Sequence, residues 1–421
     1  MARALVIAYT YYIHDGRVKR HAEALARRGD QVDVICLDKP GNVNGVNIIG
    51  LDTSRYRGSS RSSYIGNYVY FFARAAMIAA RMSIGNPYDV VIACTMPDAV
   101  VLCTLALRLM GTRVVLDVHD TMPELYRDKF GGRRGAFGAR LLQIQERLSA
   151  ACADRVLAVH DPHRTRLEQS GIRSDKIRVV MNSPDSRIFK FHPRRDEESD
   201  GAFTVACHGT IARRLGLDVA IKAVAILRER IPSLRLLVVG EGDYLPEARA
   251  LTTALGLDQQ ITFMRPVPIE QLPPLLQRAS VGLIPNHESS ATDLMLPVKL
   301  LEYSTMGMPC ICSRLRTIEH YFGERSLRYF EPGNETSLAE AMADLYFDPS
   351  LRGRLVNDAR EVVRRIEWSR QQPEFYGAID SILGHRDGVV SNGSECNKER
   401  SEQGKEEALH SEARTSMWGD K

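Results

Sequence analysis

The sequence predicts an α/β protein made of two Rossmann-like domains facing one another across a cleft. Three observations carry that reading. Short apolar runs alternate with helical patterns from the first residues onward, the rhythm of βαβ units and of a parallel sheet. The alternation breaks once, in the charged stretch FHPRRDEESDG from Phe191 to Gly201, and then restarts, as across an interdomain linker. At 421 residues the chain also exceeds what one hydrophobic core ordinarily holds. The expected partition is a first domain over 1–192, a second over 201–367, a helix over 368–385 returning to the first domain, and a tail over 386–421.

Taken in order, ALVIAY reads as a strand, GRVKRHAEALARRG as a helix and QVDVICL as the next strand. YDVVIAC, a helix from about Pro97 to Met110, and TRVVLDVHD repeat the unit, and DRVLAVH (Asp154 to His160) and IRVVMNS (Ile177 to Ser183) extend it. Parallel strands with right-handed crossovers follow from that order. Beyond the break come FTVACHG, a helix from Leu217 to about Arg230, LRLLVVGEG, a helix after Leu245, ITFMRPV and SVGLIPN. PVKLLEYSTMGMPC then reads as a helix entered at Pro297, closed by Gly307 and followed by the strand PCICS. From about Arg386 the chain is rich in Glu, Lys, Ser, Asn and Gly, too polar to bury a core, and is expected to be disordered.

Composition narrows the function classes. The 44% hydrophobic and 26% charged content is that of a soluble globular protein, and 56 Lys+Arg against 52 Asp+Glu leaves +4, a balance that gives no support to nucleic acid as a partner. The eight cysteines (Cys36, Cys94, Cys103, Cys152, Cys207, Cys310, Cys312, Cys396) form no CxxC pair and have no histidine spacing suited to zinc. They are expected to be reduced core residues of a cytosolic protein. No basic region followed by a long apolar stretch opens the chain and no eighteen apolar residues run together, so neither a signal peptide nor a transmembrane helix is expected.

The strongest chemical signal is Lys299 and Glu302, three residues apart where a helix begins and therefore on one helical face. A helix start attracts anions through its unpaired N–H groups, so Lys299 suits a phosphate and Glu302 can accept from ribose hydroxyls. An ordinary surface ion pair has the same spacing. The unit is strand, loop, helix, strand, and in open α/β sheets ligands bind beyond the carboxyl ends of strands, here the loop from His287 to Leu296. In ACHGTIARRLGLD, Gly209 allows close approach to the backbone and an arginine can fork onto phosphate oxygens, although exposed arginines also serve solubility. VVGEGDYL ends a strand in Gly240, Glu241 and Gly242, a turn with many uses.

In the first half, VVLDVHDTMPELYRDKFG sets His119 and Asp120 at a strand end and Pro123 and Glu124 in a first helical turn. An imidazole there could bond a ligand hydroxyl or stabilise developing charge, and Glu124 could equally stabilise the helix start. Asp15, before Gly16 and Arg17, and Asp98 in CTMPDAV could be helix caps as readily as ligand contacts. SYIGNYVYFFARAAMIAARM, the RYRGSSR before it and GGRRGAFGAR give this half a basic, amphipathic surface that could rest on anionic lipid or pack against the core.

Over roughly residues 1 to 383 these segments, in this order, resemble the retaining glycosyltransferases of family 4, which have the GT-B fold. The resemblance implies transfer of a sugar, with retention and without a metal or other cofactor, from a UDP- or GDP-linked nucleotide-diphosphate sugar to a saccharide or lipid-linked acceptor. It implies catalytic roles for His119, Arg214 and Lys299. Donor contacts are implied at Gly16, Gly209, Thr210, Arg214, Gly240, Glu241, Asp293, Leu294, Met295, Lys299 and Glu302, and acceptor contacts at Asp15, Arg17, Asp98, Asp120 and Glu124. Two positions depart from the family pattern: Leu294 stands where many members have a second glutamate, and Arg265 where glycine is usual after Phe263. The resemblance also tips the amphipathic surface toward peripheral contact with the inner face of a membrane, in polysaccharide assembly. A GT-B sugar-nucleotide epimerase and a non-catalytic assembly partner are the competing readings.

Overall fold

A computed structural model describes residues 1–51, 61–192 and 201–384. Most of the linker and RYRGSSR segments, the tail from 386 and Cys396 lie outside the described residues. By contacts the chain divides into Met1–Ile382 and Leu383–Lys421, so both sheets fall in one compact unit; of the second unit only the first two residues are described.

The first sheet is formed by β1 (Arg3–Ala8), β2 (Gln31–Cys36), β3 (Gly41–Val43), β4 (Val46–Gly50), β5 (Val90–Cys94), β6 (Arg113–Asp117), β7 (Arg155–Ala158) and β8 (Ile177–Val179). Their spatial order is β3-β4-β2-β1-β5-β6-β7-β8, parallel throughout except for β3 against β4. Every residue of β5, VVIAC, is buried, which is why a strand covered on both faces reads as an unbroken apolar run. The helices are α1 (Gly16–Arg27), α2 (Arg61–Ser83), α3 (Leu105–Leu109), α4 (Met122–Phe130), α5 (Gly132–Cys152) and α6 (Asp161–Gln169).

In the second sheet β9 (Phe203–His208), β10 (Leu234–Val239), β11 (Ile261–Met264), β12 (Val281–Ile284), β13 (Cys310–Ser313) and β14 (Arg328–Phe330) are all parallel, ordered β11-β10-β9-β12-β13-β14. Around them lie α7 (Leu217–Leu227), α8 (Leu245–Ala254), α9 (Leu272–Gln277), α10 (Val298–Thr305), α11 (Arg316–Tyr321), α12 (Glu335–Phe347) and α13 (Pro349–Ile366). α7 buries Leu217, Val219, Ala220, Ile221, Ala223, Val224 and Leu227, at helical spacing, into a core shared with Leu236, Leu283 and Leu338. Each Leu, Val or Ile among them, taken fully from water, stabilises by about 1.5–3 kcal/mol.

α14 (Trp368–Leu383) follows the second sheet in the chain but packs on the first. Its Phe375 stacks on His21 of α1 with ring centroids 4.2 Å apart, the Tyr376 hydroxyl donates to the Ala24 carbonyl, and Asp380 pairs with Arg28. Gln371 accepts from the Met181 backbone N–H. The helix expected from Pro97 to Met110 is instead a 3-10 stretch over Asp98–Thr104 followed by the short α3. There the Thr104 hydroxyl donates to the Val101 carbonyl at 2.7 Å, competing with the α-helical ladder. Six of the seven described cysteines are buried and all seven are free.

Candidate functional site

The carboxyl ends of the two sheets face a cleft with an empty volume of about 680 Å³, its solvent mouth included. His119, Asp120, His160, His163 and Asn182 line one wall, and Ala291 and the segment from Leu294 to Val298 line the other.

On the second-sheet wall, the backbone conformation around Gly209 (φ +104°) builds the site. A Cβ on Gly209 would meet nothing within 4 Å, so its face is open, whereas one on Gly240 would lie 1.9 Å from the Gly209 carbonyl oxygen. Two loops therefore run backbone against backbone, joined by bonds from Gly209 N–H to Val239 and from Ile211 N–H to Glu241. Gly216 (φ +69°) closes the same loop over Pro285, where any side chain would collide. Arg214 lies on this loop, half-buried, and its Nε is buried without a hydrogen-bond partner. Thr210 and Glu241 are exposed at the loop tips.

α10 starts at the mouth of the same strands. Glu302 places Oε2 2.8 Å from His208 Nε2, and the His208 Nδ1 is 2.8 Å from the Tyr303 hydroxyl, itself 3.1 Å from the Ala206 carbonyl. Strand end and helix are thus pinned to one another by a buried chain. Lys299 Nζ reaches to 4.0 Å from Cys207 Sγ on the same strand. Lys299, Glu302 and the Arg214 loop accordingly converge on the end of β9. Asp293 turns away from the cleft: its carboxylate accepts from the Arg316 N–H at 2.8 Å, at the start of α11, while Leu294 and Met295 line the cleft.

On the opposite wall the organising group is Asp117, fully buried at the end of β6. Arg17 forks onto it through Nε and Nη2 and donates its Nη1 to the Val180 carbonyl. His119 sets Nε2 3.1 Å from Asp117 Oδ2 while its backbone N–H donates to Thr95 Oγ1. His21 Nδ1 is 3.2 Å from the same carboxylate but off the hydrogen-bonding direction. Burial opposes the Asp117 charge, yet Arg17 and His119 outweigh it and hold the carboxyl well below the usual range. Burial likewise opposes protonation of His119, and Asp117 overcomes it, so the histidine's affinity for a proton is raised.

The remaining expected contacts fall into distinct places. Asp15 caps α1, accepting from the N–H groups of Arg17 and Val18, with Gly16 exposed at the helix start. Arg17 is 3% exposed and spent on Asp117, so it supports the wall from behind and does not reach the cleft itself. Glu124 is taken bidentately by Arg166, which also holds the buried Glu146. Asp98 is 2% exposed with Oδ1 unpartnered, and burial followed by repulsion from Glu146 pushes its carboxyl up to about 7. Asp120 lines the cleft; burial raises it, and His119 and Arg214 pull it back, which locates Arg214 within electrostatic reach across the gap.

Several residues at or around the cleft had no individual signal in sequence. His208 sits inside the segment ACHG but one position before the glycine that drew notice. His160 caps α6 through Nδ1, a role usually filled by Ser, Thr, Asp or Asn. Asp128 of α4 reaches across the cleft to the Ser289 and Ser290 hydroxyls and the Ala291 N–H. Asp161 and Tyr321 make a second cross-cleft pair. Cys94, Asp117 and His119 bring potential metal ligand atoms within 4.8 Å of one another, but Arg17 already forks onto Asp117, so a cation there would face a guanidinium.

A family model described as "Glycosyl transferase 4-like domain" matches residues 16–183, and one described as "Glycosyl transferases group 1" matches 202–348. A D-inositol 3-phosphate glycosyltransferase of Pseudarthrobacter chlorophenolicus is 28% identical over 229 residues, 51% of this chain and 53% of that protein. A GDP-mannose-dependent alpha-(1-6)-phosphatidylinositol monomannoside mannosyltransferase of Mycolicibacterium smegmatis is 33% identical over 112 residues, 26% of this chain and 29% of the other. The chain spans about half the length, or less, of these curated relatives. Among solved structures, sucrose-phosphate synthase from Thermosynechococcus elongatus superposes with a TM-score of 0.73 at 16% identity, over 91% of this chain and 100% of that one. HepE of Anabaena, in complex with UDP-glucose, gives 0.68 at 17% identity, over 90% and 100%. Both likenesses are of fold.

Proposed function

Because the chain belongs to the family 4 glycosyltransferases and has the GT-B fold, we propose that it moves a sugar from a nucleotide-diphosphate sugar to an acceptor hydroxyl. The observation that carries this reading is the convergence of Lys299, Glu302 and the Arg214 loop at the end of β9, opposite a wall holding His119 and Asp120. Glu302, held in orientation by His208, would accept from the ribose hydroxyls. The diphosphate would lie against the open face of Gly209 and the start of α10, its charge met by Lys299 and by Arg214, whose buried Nε has no partner within the protein. Those cations would stabilise the leaving diphosphate without a metal.

The acceptor would enter along the first-sheet wall. His119, tethered through Nε2 to Asp117, keeps Nδ1 for a sugar hydroxyl or for charge developing at the anomeric carbon. Closure of the two walls would bring the hydroxyl to that carbon and exclude water. Retention follows the family. UDP- and GDP-linked sugars are the donor classes, in line with the UDP-glucose complex of HepE and the GDP-mannose dependence in the mycobacterial relative's name.

Thermal shift of the full chain against a panel of UDP- and GDP-sugars tests the donor site, since a ligand stabilises the state it binds. A cognate donor should raise the melting temperature in the wild type, and Glu302→Ala should abolish both that rise and product formation. Absence of any shift across the panel would overturn the assignment. Donor incubated alone separates a transferase from an epimerase, which needs no acceptor.

Membrane contact is the outermost part of the proposal. No helix among the described residues is long and apolar enough to cross a membrane. On α5, however, Phe137, Leu141, Ile144 and Leu148 are exposed at helical spacing beside the exposed Arg133, Arg134 and Arg140, and the helix's only carboxylate, Glu146, is buried. Such a face suits the anionic inner leaflet of a cytoplasmic membrane. The chain should co-sediment with vesicles containing phosphatidylglycerol but not with neutral ones, and Leu141→Glu with Leu148→Glu should abolish the binding.

A further inference from the structure

The turn that carries Arg214 is gripped by a single residue of the neighbouring loop. His287 stands three residues beyond the end of β12, where the loop leading to α10 begins. Its backbone N–H donates to the Arg214 carbonyl at 3.0 Å. Its ring sets Nε2 2.9 Å from Asp218 Oδ1, in the first turn of α7. Burial opposes the Asp218 charge, but the bond from His287 outweighs it and holds the carboxyl below its ordinary range. An ionised carboxylate only accepts, so Nε2 carries the proton in this bond. Between the two grips lies Gly216 (φ +69°), pressed so closely onto the loop that a Cβ would stand 1.8 Å from the Pro285 carbonyl oxygen. The stretch from Arg214 to Asp218 is thus fixed at both ends by His287 and in the middle by Pro285.

The same residue also holds the loop that meets the opposite wall. The His287 carbonyl accepts from the Thr292 hydroxyl at 2.6 Å, and Thr292, fully buried, donates its N–H to Ser289 Oγ at 3.1 Å. The Ser289 hydroxyl donates in turn to Asp128 of α4. Leu294 and Met295, which line the cleft, follow two and three residues after Thr292. His287 therefore stands where the arginine turn and the cleft-lining loop join. The His287 side chain is 32% exposed and that of Asp218 19%, so their bond lies at the rim of the domain and not in the core that α7 shares with Leu236 and Leu283. A guanidinium sits at the end of a long side chain, and a small tilt of the backbone beneath it displaces the charge by more than phosphate recognition tolerates.

We propose that His287 is a positioning residue for Arg214: its N–H and its imidazole clamp the two ends of the turn and hold the guanidinium in place before a nucleotide arrives. A cation organised in advance stabilises a leaving diphosphate without paying for its own reorientation during the reaction. The inference rests on the transferase reading of the same site and adds to it a group that acts through Arg214.

The test is a double-mutant cycle on the full chain over His287→Phe and Arg214→Ala, with UDP and GDP as probes titrated to millimolar concentrations by saturation-transfer NMR. Phenylalanine keeps a ring and loses the donor. In the wild-type background His287→Phe should weaken the nucleoside diphosphate that binds by about tenfold. In the Arg214→Ala background the same change should cost less than about twofold, because the group it positions is gone. Turnover with the donor found by thermal shift should show the same lack of additivity in kcat. His287→Gln, whose amide can return an N–H to Asp218, should recover most of the loss. Additive losses in the two backgrounds would assign His287 to general support of the fold, and an unchanged affinity in His287→Phe or no recovery in His287→Gln would show that the clamp does not act through this bond; each overturns the inference and leaves a donor-binding transferase intact. If circular dichroism shows that His287→Phe does not fold, Asp218→Ala breaks the same bond from its other end and takes its place in the cycle, with the same results expected. Failure of UDP, GDP and every nucleotide sugar to bind the wild type instead removes the transferase reading itself.

Discussion

Replacing Asp98 by Asn should raise the thermal midpoint at pH 8 and leave it nearly unchanged at pH 4. Burial lifts the folded-state affinity of this carboxyl to about 7, against an ordinary value of 3.8. Between those values the folded chain holds a proton that the unfolded chain has lost, so native stability falls as pH rises through the window. The wild type should lose on the order of 1–4 kcal/mol relative to Asp98→Asn between pH 4 and pH 7, read by chemical denaturation. Parallel pH profiles for the two proteins would show that Asp98 does not titrate in this way. At this scale the sequence was partly legible. Lys299 and Glu302 announced themselves by spacing and by the turn before them, whereas the burial of Arg17 depends on a residue a hundred positions away, Asp117, and no local pattern records it.

Among the elements, α4 is tied to the loop ahead of α10 by Asp128, whose carboxylate gathers the Ser289 and Ser290 hydroxyls and the Ala291 N–H. Three donors on one carboxylate hold that loop against the opposite wall. Asp128→Ala should therefore raise KM for the donor about ten- to 150-fold, the equivalent of roughly 1.5–3 kcal/mol for hydrogen bonds to a charged acceptor. Asp128→Asn should recover part of the loss. An unchanged KM in both variants would show that the contact does not position the loop. The buried parallel strands were legible because each reads as an apolar run between turn residues. The hairpin β3–β4 was not read, although Asn44 and Gly45 both have positive φ at its turn, as an Asn-Gly pair often does. Its first strand is entirely exposed and carries no apolar pattern to notice. The 3-10 stretch at Asp98–Thr104 was mistaken for α-helix because hydrophobic periodicity does not separate the two over seven residues.

For the molecule as a whole, the decisive link is α14, which joins the end of the chain to the first sheet through Phe375, Tyr376 and Asp380. Phe375 is fully buried, so Phe375→Ala should cost about 3–5 kcal/mol and lower the denaturation midpoint measured by far-UV circular dichroism. A loss below about 1 kcal/mol would mean that α14 lies loosely on its site. Two α/β sets were readable from rhythm alone, but their union into one compact body follows from contacts between distant segments such as Gln371 with Met181 and Ser183 with Ile366. The same link has a consequence for biosynthesis. All eight strands of the first sheet leave the ribosome before the second sheet is even begun, yet the face of α1 around His21 stays uncovered until α14 emerges after the second sheet. A nascent polypeptide must therefore carry an unfinished, sticky flank through the synthesis of the whole second sheet, a natural landing place for chaperones and a point where premature termination would yield aggregates.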